Sequence, residues 1–313
     1  GMRAYQNGGL QALVRKTGIL RVLPLLAYWE RLFPRMPEDM PVLEPGMRFG
    51  DPSAPMVGLH VGCIMDVAFR PVHWATVRVL VANGYQVAIP PQGCCGALAH
   101  HAGETDIAVA LAKANVDKLS SMPLEAVVFN SAGCGAELRE YHHLFAPEDP
   151  YHDKALALKA LVRDVSELLA EKPSLAPMGH ALNRTATYHA ACHLYHAQGV
   201  KEQPVKLLEQ VPGLRLVPLT EMETCCGSAG IYNLEQPELS GEVLERKMAH
   251  VLATGADCVA TGNPGCHMQL AYGVYRFGKG KRLEVLHPMQ LLAQAYGGDG
   301  PMAPQGGTSK RGA

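Results

Sequence analysis

The 313 residues carry 28 Lys+Arg against 29 Asp+Glu, a formal net charge of −1 with the two signs interspersed. No basic stripe exists, which argues against nucleic acid as the main partner and leaves a small molecule or another protein. At 48% hydrophobic and 18% charged the chain reads as globular, with material for one large or two moderate cores, and no segment reads as a membrane span or signal peptide. The expected address is therefore cytoplasmic.

In chain order, residues 10–33 form an apolar and basic segment interrupted by Pro24. A docking helix and a membrane-surface helix, with Arg15, Lys16, Arg21 and Arg31 at the headgroups, both fit it, and docking is the plainer reading. From residue 56, short apolar runs alternate with helical patterns, as in βαβ units around a mostly parallel sheet. Strands are expected over 56–62, 85–89 and 125–130, and helices over 71–82 and 106–119. Ala146-Pro147-Glu148-Asp149-Pro150 opens a linker, and residues 154–171 read as one amphipathic helix packed on both halves. Strands follow over 185–190, 214–219 and 258–262, with helices near 203–210 and 238–252. A strand over 283–286 and a helix over 288–296 complete the pattern, and the Gly/Pro-rich residues 297–313 are expected to be disordered.

The cysteines impose a second order on these elements. Cys63, Cys94-Cys95 and Cys134 are separated by 30 and 38 residues, and Cys192, Cys225-Cys226 and Cys266 by 32 and 39. Flanking residues repeat too: Leu59-His60-Val61-Gly62-Cys63 answers Tyr188-His189-Ala190-Ala191-Cys192. The chain is a duplication. The predicted fold is α/β, two homologous half-domains related by a pseudo-twofold, with the cysteines at the carboxyl ends of strands. The division is 1–50 as an N-terminal docking segment, 51–150 as the first half-domain, 151–180 as a linker helix, 181–296 as the second half-domain, and 297–313 as tail. Each cysteine set is expected to close its own separate pocket.

Four thiolates suit a 4Fe-4S cluster or a tetrahedral zinc ion. Adjacent cysteines fit a compact zinc site poorly, so a cluster is favoured and zinc is the alternative. Nine cysteines is an odd count, which fits a disulfide framework less well than metal. Cys258 lies within a predicted strand and lacks a counterpart, so it is read as core. His60, His189, His193 and His196 stand beside cysteines, where each could hydrogen-bond a sulfur, bind metal or simply be satisfied locally. Asn263 and His267 flank Cys266 and are read the same way, whereas His100-His101 and His142-His143 are read as surface.

The repeated Cys-Cys-Gly sets resemble the CCG cysteine-rich domain pair of the iron-sulfur subunit of glycolate oxidase, of lactate-utilisation proteins and, more distantly, of heterodisulfide reductase. Gly9-Leu10-Gln11-Ala12-Leu13, Arg163-Asp164-Val165-Ser166-Glu167, Cys192-His193-Leu194 and Gly262-Asn263-Pro264-Gly265-Cys266 are most similar to the glycolate oxidase type. This resemblance implies iron-sulfur clusters held by Cys63, Cys94, Cys95, Cys134, Cys192, Cys225, Cys226 and Cys266. It implies an electron-transfer subunit that serves flavoprotein oxidase or dehydrogenase subunits acting on a 2-hydroxy acid such as glycolate or lactate. It also implies a ferredoxin-like module or subunit. The C-x2-C-x2-C-x3-C-P runs of that module do not occur in these residues, and Gly1 ahead of Met2 reads as a tag scar. Ser131 and Asn263 stand where the heterodisulfide reductase type has a further cysteine, which argues against a five-thiolate cluster. A cluster-based disulfide reductase and a metal-stabilised assembly or anchoring module are the rival functions. No glycine cluster has the G-x-G-x-x-G spacing after a strand, so neither flavin nor nicotinamide is expected to bind here.

Overall fold

The computed structural model describes residues 2–37, 40–298 and 300–305. Two sheets carry the fold. In the first, β2 (Met56–His60) and β4 (Ala126–Phe129) lie at the centre, with β3 (Gln86–Ala88) outside β2 and β5 (Val162–Asp164) outside β4. These four are mutually parallel, and β1 (Arg48–Phe49) adds an antiparallel edge beside β3. The second sheet has the order β7-β6-β8-β9, with β6 at Arg184–Tyr188, β7 at Leu214–Val217, β8 at Cys258–Ala260 and β9 at Glu284–Leu286, all parallel. Removing β1 leaves the same order in both sheets, so the duplication read from the cysteines is a duplication of topology.

Parallel strands covered by helices must be apolar along their whole length. Val57, Leu59, Val87, Val127 and Val128 are fully buried, as are Ala186, Val259 and Ala260. The two halves do not keep separate interiors. Leu59, Val77 and Leu80 of the first half share one core with Leu207, Met289 and Leu292 of the second. The helix Pro288–Ala295 packs directly on the helix Arg70–Ala82, so the last helix of the chain covers the first half's sheet region.

Residues 154–171 do not form one helix. The helix Pro150–Leu161 stops, β5 pairs with β4, and a new helix runs from Val165 to Ala170. Asp164 causes the restart: its carboxylate accepts the Ser166 N–H at 2.7 Å, while Glu167 reaches back to the Asp164 N–H at 3.2 Å. This capping box starts a helix where amphipathic periodicity alone continues one. The new helix packs on the helix Gln203–Glu209 of the second half.

The C-terminal residues also depart from expectation. Residues 300–305 are ordered against β1: the Gln305 N–H donates to the Arg48 carbonyl at 2.8 Å, Gln305 Nε2 donates to the Gly50 carbonyl, and Met302 packs on the core. Residue 299 and residues 306–313, also within the expected disordered tail, lie outside the described residues.

The N-terminal segment forms helices at Met2–Asn7, Leu10–Thr17 and Pro24–Leu32. The last docks on the second half, where the Tyr28 hydroxyl donates to the Asn233 carbonyl at 3.0 Å and the ring meets Tyr272 edge-on at 5.0 Å. Arg31 lies 4.2 Å over the Tyr275 ring. Leu10, Leu13, Leu25, Leu26 and Trp29 remain exposed. No helix among the described residues is long and apolar enough to cross a membrane. The side chain of Arg21, one of the four expected headgroup contacts, lies outside the described set.

Asp164 is 2% exposed, and burial pushes its carboxyl up to about 7. A raised folded-state value gives stability that is complete below the unfolded value near 4 and is lost as pH rises through about 7. Asp164→Asn cannot lose a proton and keeps the cap. Urea unfolding of the two proteins should diverge in favour of the variant between about pH 4 and pH 7, by up to about 4 kcal/mol at roughly 1.4 kcal/mol per pH unit, and stay constant above that. A difference that does not change with pH would show Asp164 to be ionised throughout.

Candidate metal centre

Strand direction places the cysteines. β2 ends at His60 and delivers Cys63, and β6 ends at Tyr188 and delivers Cys192. The segments after β3 and β7 carry Cys94-Cys95 and Cys225-Cys226. Cys134 and Cys266, beyond the carboxyl ends of β4 and β8, sit inside the first turns of the helices Ala132–Glu140 and Pro264–Phe277. Those first-turn N–H groups and the helix dipole favour a thiolate. Cys192 is followed by a π-helical turn, His193–Ala197, where Cys63 is followed by a short α-helix, Ile64–Ala68.

In the first half the Cys63 and Cys94 sulfurs are 3.4 Å apart and the Cys95 and Cys134 sulfurs 3.2 Å apart. All nine cysteines are free thiols. Four sulfurs this close cannot all ionise, so protons settle on alternate members. The Cys94 thiol is held far below its ordinary range because the Cys63 and Cys95 thiols donate to it, and Cys63 is raised in return. Cys134 is lowered by Cys95, and Cys95 is raised. The second half repeats this, with Cys225 and Cys266 lowered against Cys192 and Cys226. In each quartet the shared hydrogen bonds thus favour ionisation of one sulfur of each close pair over its partner.

Further donors reach the sulfurs. The Gly96 and Gly227 N–H groups donate to Cys94 and Cys225 at 3.5 and 3.3 Å. The Ser131 hydroxyl donates to Cys134 at 3.4 Å, and Asn263 Nδ2 donates to Cys266 at 3.7 Å. The surrounding charges differ between the halves. Buried Glu137 is one of the anions acting on Cys134. Lys247, 1% exposed, donates to the Glu221 carbonyl and puts a cation near Cys226 and Cys225. Burial pulls the Lys247 ammonium below its ordinary range, and Cys226, Glu221, Glu223 and Cys225 act against that pull.

The expectation of two separate pockets is not met. All eight paired cysteines line one cavity of about 360 Å³ between the halves. Leu32 and Phe33 from the N-terminal segment, Ile64, Leu98, Leu234 and Met268 make its walls largely apolar. The pseudo-twofold turns the carboxyl ends of both sheets toward each other, so the quartets share one chamber. Cys258 does not line it. That residue is buried in β8, 3.8 Å from the Thr185 carbonyl, and burial pushes its thiol up to about 11.

His189, Cys226 and Cys266 have ligand atoms within 4.8 Å of one another, the one such trio among the described residues, and they give the second half metal-binding capacity. His60, the counterpart of His189, instead stacks on Phe129 at 4.7 Å with its ring facing the Gly93 carbonyl. Two histidines that sequence reasoning passed over act similarly. His73 is buried against the Val61 carbonyl and bonded to Asn130 at 3.0 Å, and His287 faces the Asn130 carbonyl. Burial lowers all three rings, His60 to about 4 and the others to about 3, so they are neutral braces for the backbone before Cys63, Cys94 and Cys134. No cysteine spacing flags a brace from the helix Arg70–Ala82 or from the cap of the last helix. His142, expected at the surface, is buried, whereas His100, His101 and His143 are exposed.

Two α/β lobes that aim duplicated Cys-Cys-Gly turns at one chamber define a cysteine-rich redox or metal module. Comparison with known proteins agrees. The cysteine-rich CCG domain matches residues 57–139 and 186–271, and the linker region of the glycolate oxidase iron-sulfur subunit matches residues 1–33. The chain belongs to the CCG cysteine-rich domain family. It is 37% identical over 300 residues to the probable glycolate oxidase iron-sulfur subunit of Bacillus subtilis, covering 94% of this chain and 67% of that one. It is 34% identical to lactate utilization protein A of Shouchella clausii, over 75% of this chain and 98% of that protein. Lactate utilization protein A of Geobacillus kaustophilus is 32% identical over the same shares. Among solved structures, a hypothetical protein from Helicobacter pylori shares the fold, with a TM-score of 0.53 and 11% identity over 82% of this chain and 52% of that one.

Gly96 and Gly227 both have positive φ, +85° and +92°. A Cβ on Gly227 would lie 2.6 Å from the Ser240 carbonyl oxygen, whereas one on Gly96 would meet nothing closer than 3.5 Å. Gly96→Ala should therefore cost only the left-handed backbone penalty of about 1–2 kcal/mol. Gly227→Ala must also move backbone, so its denaturation midpoint should fall further, with metal uptake lost selectively at the second quartet. Equal losses would show that the two turns are equally roomy.

Proposed function

We propose that this chain is an iron-sulfur electron-transfer subunit of a flavin-dependent complex that oxidises a 2-hydroxy acid, glycolate or lactate. The observation that carries this reading is the convergence of eight duplicated cysteines, four per lobe, on one apolar chamber. An all-thiolate donor set with N–H and O–H donors at its sulfurs fits iron-sulfur chemistry. Cys63, Cys94, Cys95 and Cys134 would hold one 4Fe-4S cluster, and Cys192, Cys225, Cys226 and Cys266 a second. Such a group supplies one-electron storage when bound. The chain's own residues set its surroundings: Gly96, Gly227, Ser131 and Asn263 direct donors at the sulfurs, and the walls around them are largely apolar.

The named relatives are an iron-sulfur subunit and lactate utilization proteins, which supports a non-catalytic role beside flavoprotein oxidase or dehydrogenase subunits. The exposed apolar residues of the segment 10–33 are the surface on which such a subunit or a ferredoxin-like module would dock. Peripheral contact with the cytoplasmic face of a membrane is the other use of that surface. Free thiols at every position fit a cytoplasmic setting.

Anaerobic reconstitution with iron and sulfide, then dithionite reduction and electron paramagnetic resonance, tests the reading. Cys94→Ser and Cys225→Ser should each remove about half of the bound iron, and Cys258→Ser should remove none. Zinc in place of iron, with no paramagnetic signal, would replace this reading with a structural-metal module. Iron loss from Cys258→Ser equal to the others would show the ligands to be misassigned.

A further inference from the structure

Asn263 stands between the two quartets, three residues before Cys266. Its Nδ2 donates to the Cys266 sulfur at 3.7 Å, and its Oδ1 accepts the N–H of Gly133, the neighbour of Cys134, at 3.0 Å. One amide therefore touches the ligand-bearing turns of both lobes. The adjoining residues reinforce the crossing. The Ala132 N–H donates to the Gly262 carbonyl at 3.0 Å, and Gln198 Nε2 donates to the Ala132 carbonyl at 2.8 Å. Ser131, at the duplicate position, donates to Cys134 at 3.4 Å with a side chain too short for a matching bond across the interface.

The asymmetry has a physical consequence. An amide that donates at one end and accepts at the other polarises along its length, so each bond strengthens its partner. Charge added at Cys266 draws more strongly on Nδ2, and that makes Oδ1 a better acceptor for the Gly133 N–H. We propose that Asn263 couples the two sites. Its bond to Cys266 raises the reduction potential at the second quartet, and its bond to Gly133 makes that potential depend on the state of the first. This rests on the iron-sulfur reading above.

The test is a dithionite titration with mediators, followed by paramagnetic resonance, of the reconstituted full chain. Wild type, Asn263→Asp and Asn263→Ser are each compared with and without Cys94→Ser. Wild type should show a second-site potential that moves when Cys94→Ser empties the first site. Asn263→Asp keeps the acceptor for Gly133 and loses the donor to Cys266. Its second site should be about tenfold harder to reduce at a fixed potential, which is about 59 mV for one electron. Asn263→Ser keeps a short donor, as Ser131 does, and loses Gly133, so its potential should stay near wild type and cease to respond to Cys94→Ser. An Asp variant that titrates like wild type, or a Ser variant that still responds, overturns the proposal. Absence of any cluster in wild type defeats the underlying reading instead. Should a variant fail to hold iron, amide exchange at Gly133 in the metal-free chain decides: it should accelerate in Asn263→Ser and not in Asn263→Asp, and unchanged protection in the Ser variant sinks the coupling.

Discussion

Like charges must be held together in this structure. Four sulfurs within contact of their neighbours, two of each four on buried cysteines, repel one another as they ionise, and everything around each quartet addresses that repulsion. Shared protons lower the charge, N–H and O–H donors stabilise what remains, and first-turn helix positions add a favourable dipole. A multinuclear metal group would resolve the conflict more fully, because its cations would replace the shared protons. The same sulfurs that are frustrated as thiols would be matched as ligands.

The lobes meet that constraint jointly. Helix Pro288–Ala295 of the second lobe packs on the first, and His287 at its cap faces the backbone that leads to Cys134. The Asp164 capping box turns the chain from the first sheet to the helix that packs on Gln203–Glu209. Because one core runs through both halves, the spacing between the quartets belongs to the packing of the whole chain. A shared chamber follows from that rigidity, and so does an electrostatic contrast between its ends, with Glu137 near the first quartet and Lys247 near the second.

Much of this was legible in the residues. Alternating apolar runs and helical periods located five of the longer helices, but not Ala132–Glu140 or Pro264–Phe277, and every strand but two, because parallel strands covered on both faces have little choice of composition. The two that escaped did so for different reasons. β1 is two residues long, and β5 lies within an amphipathic pattern that reads as helix until Asp164 and Glu167 are recognised as a cap. The helices that begin at Ala132 and Pro264 were not among the expected elements, since Gly and Pro stand in their first turns. His73 and His287 carried no signal, since a brace on a backbone carbonyl imposes no spacing on the chain.

By itself the sequence determined that there are two lobes, that each gathers four thiols at strand ends, and which cysteine stands apart, because covalent order and strand direction suffice for those statements. Only the tertiary structure decided that the quartets face one chamber rather than two and that Asn263 reaches from Cys266 to Gly133. The relative placement of the lobes comes from side-chain packing between distant segments, and a repeat in the chain is equally compatible with lobes turned toward or away from each other.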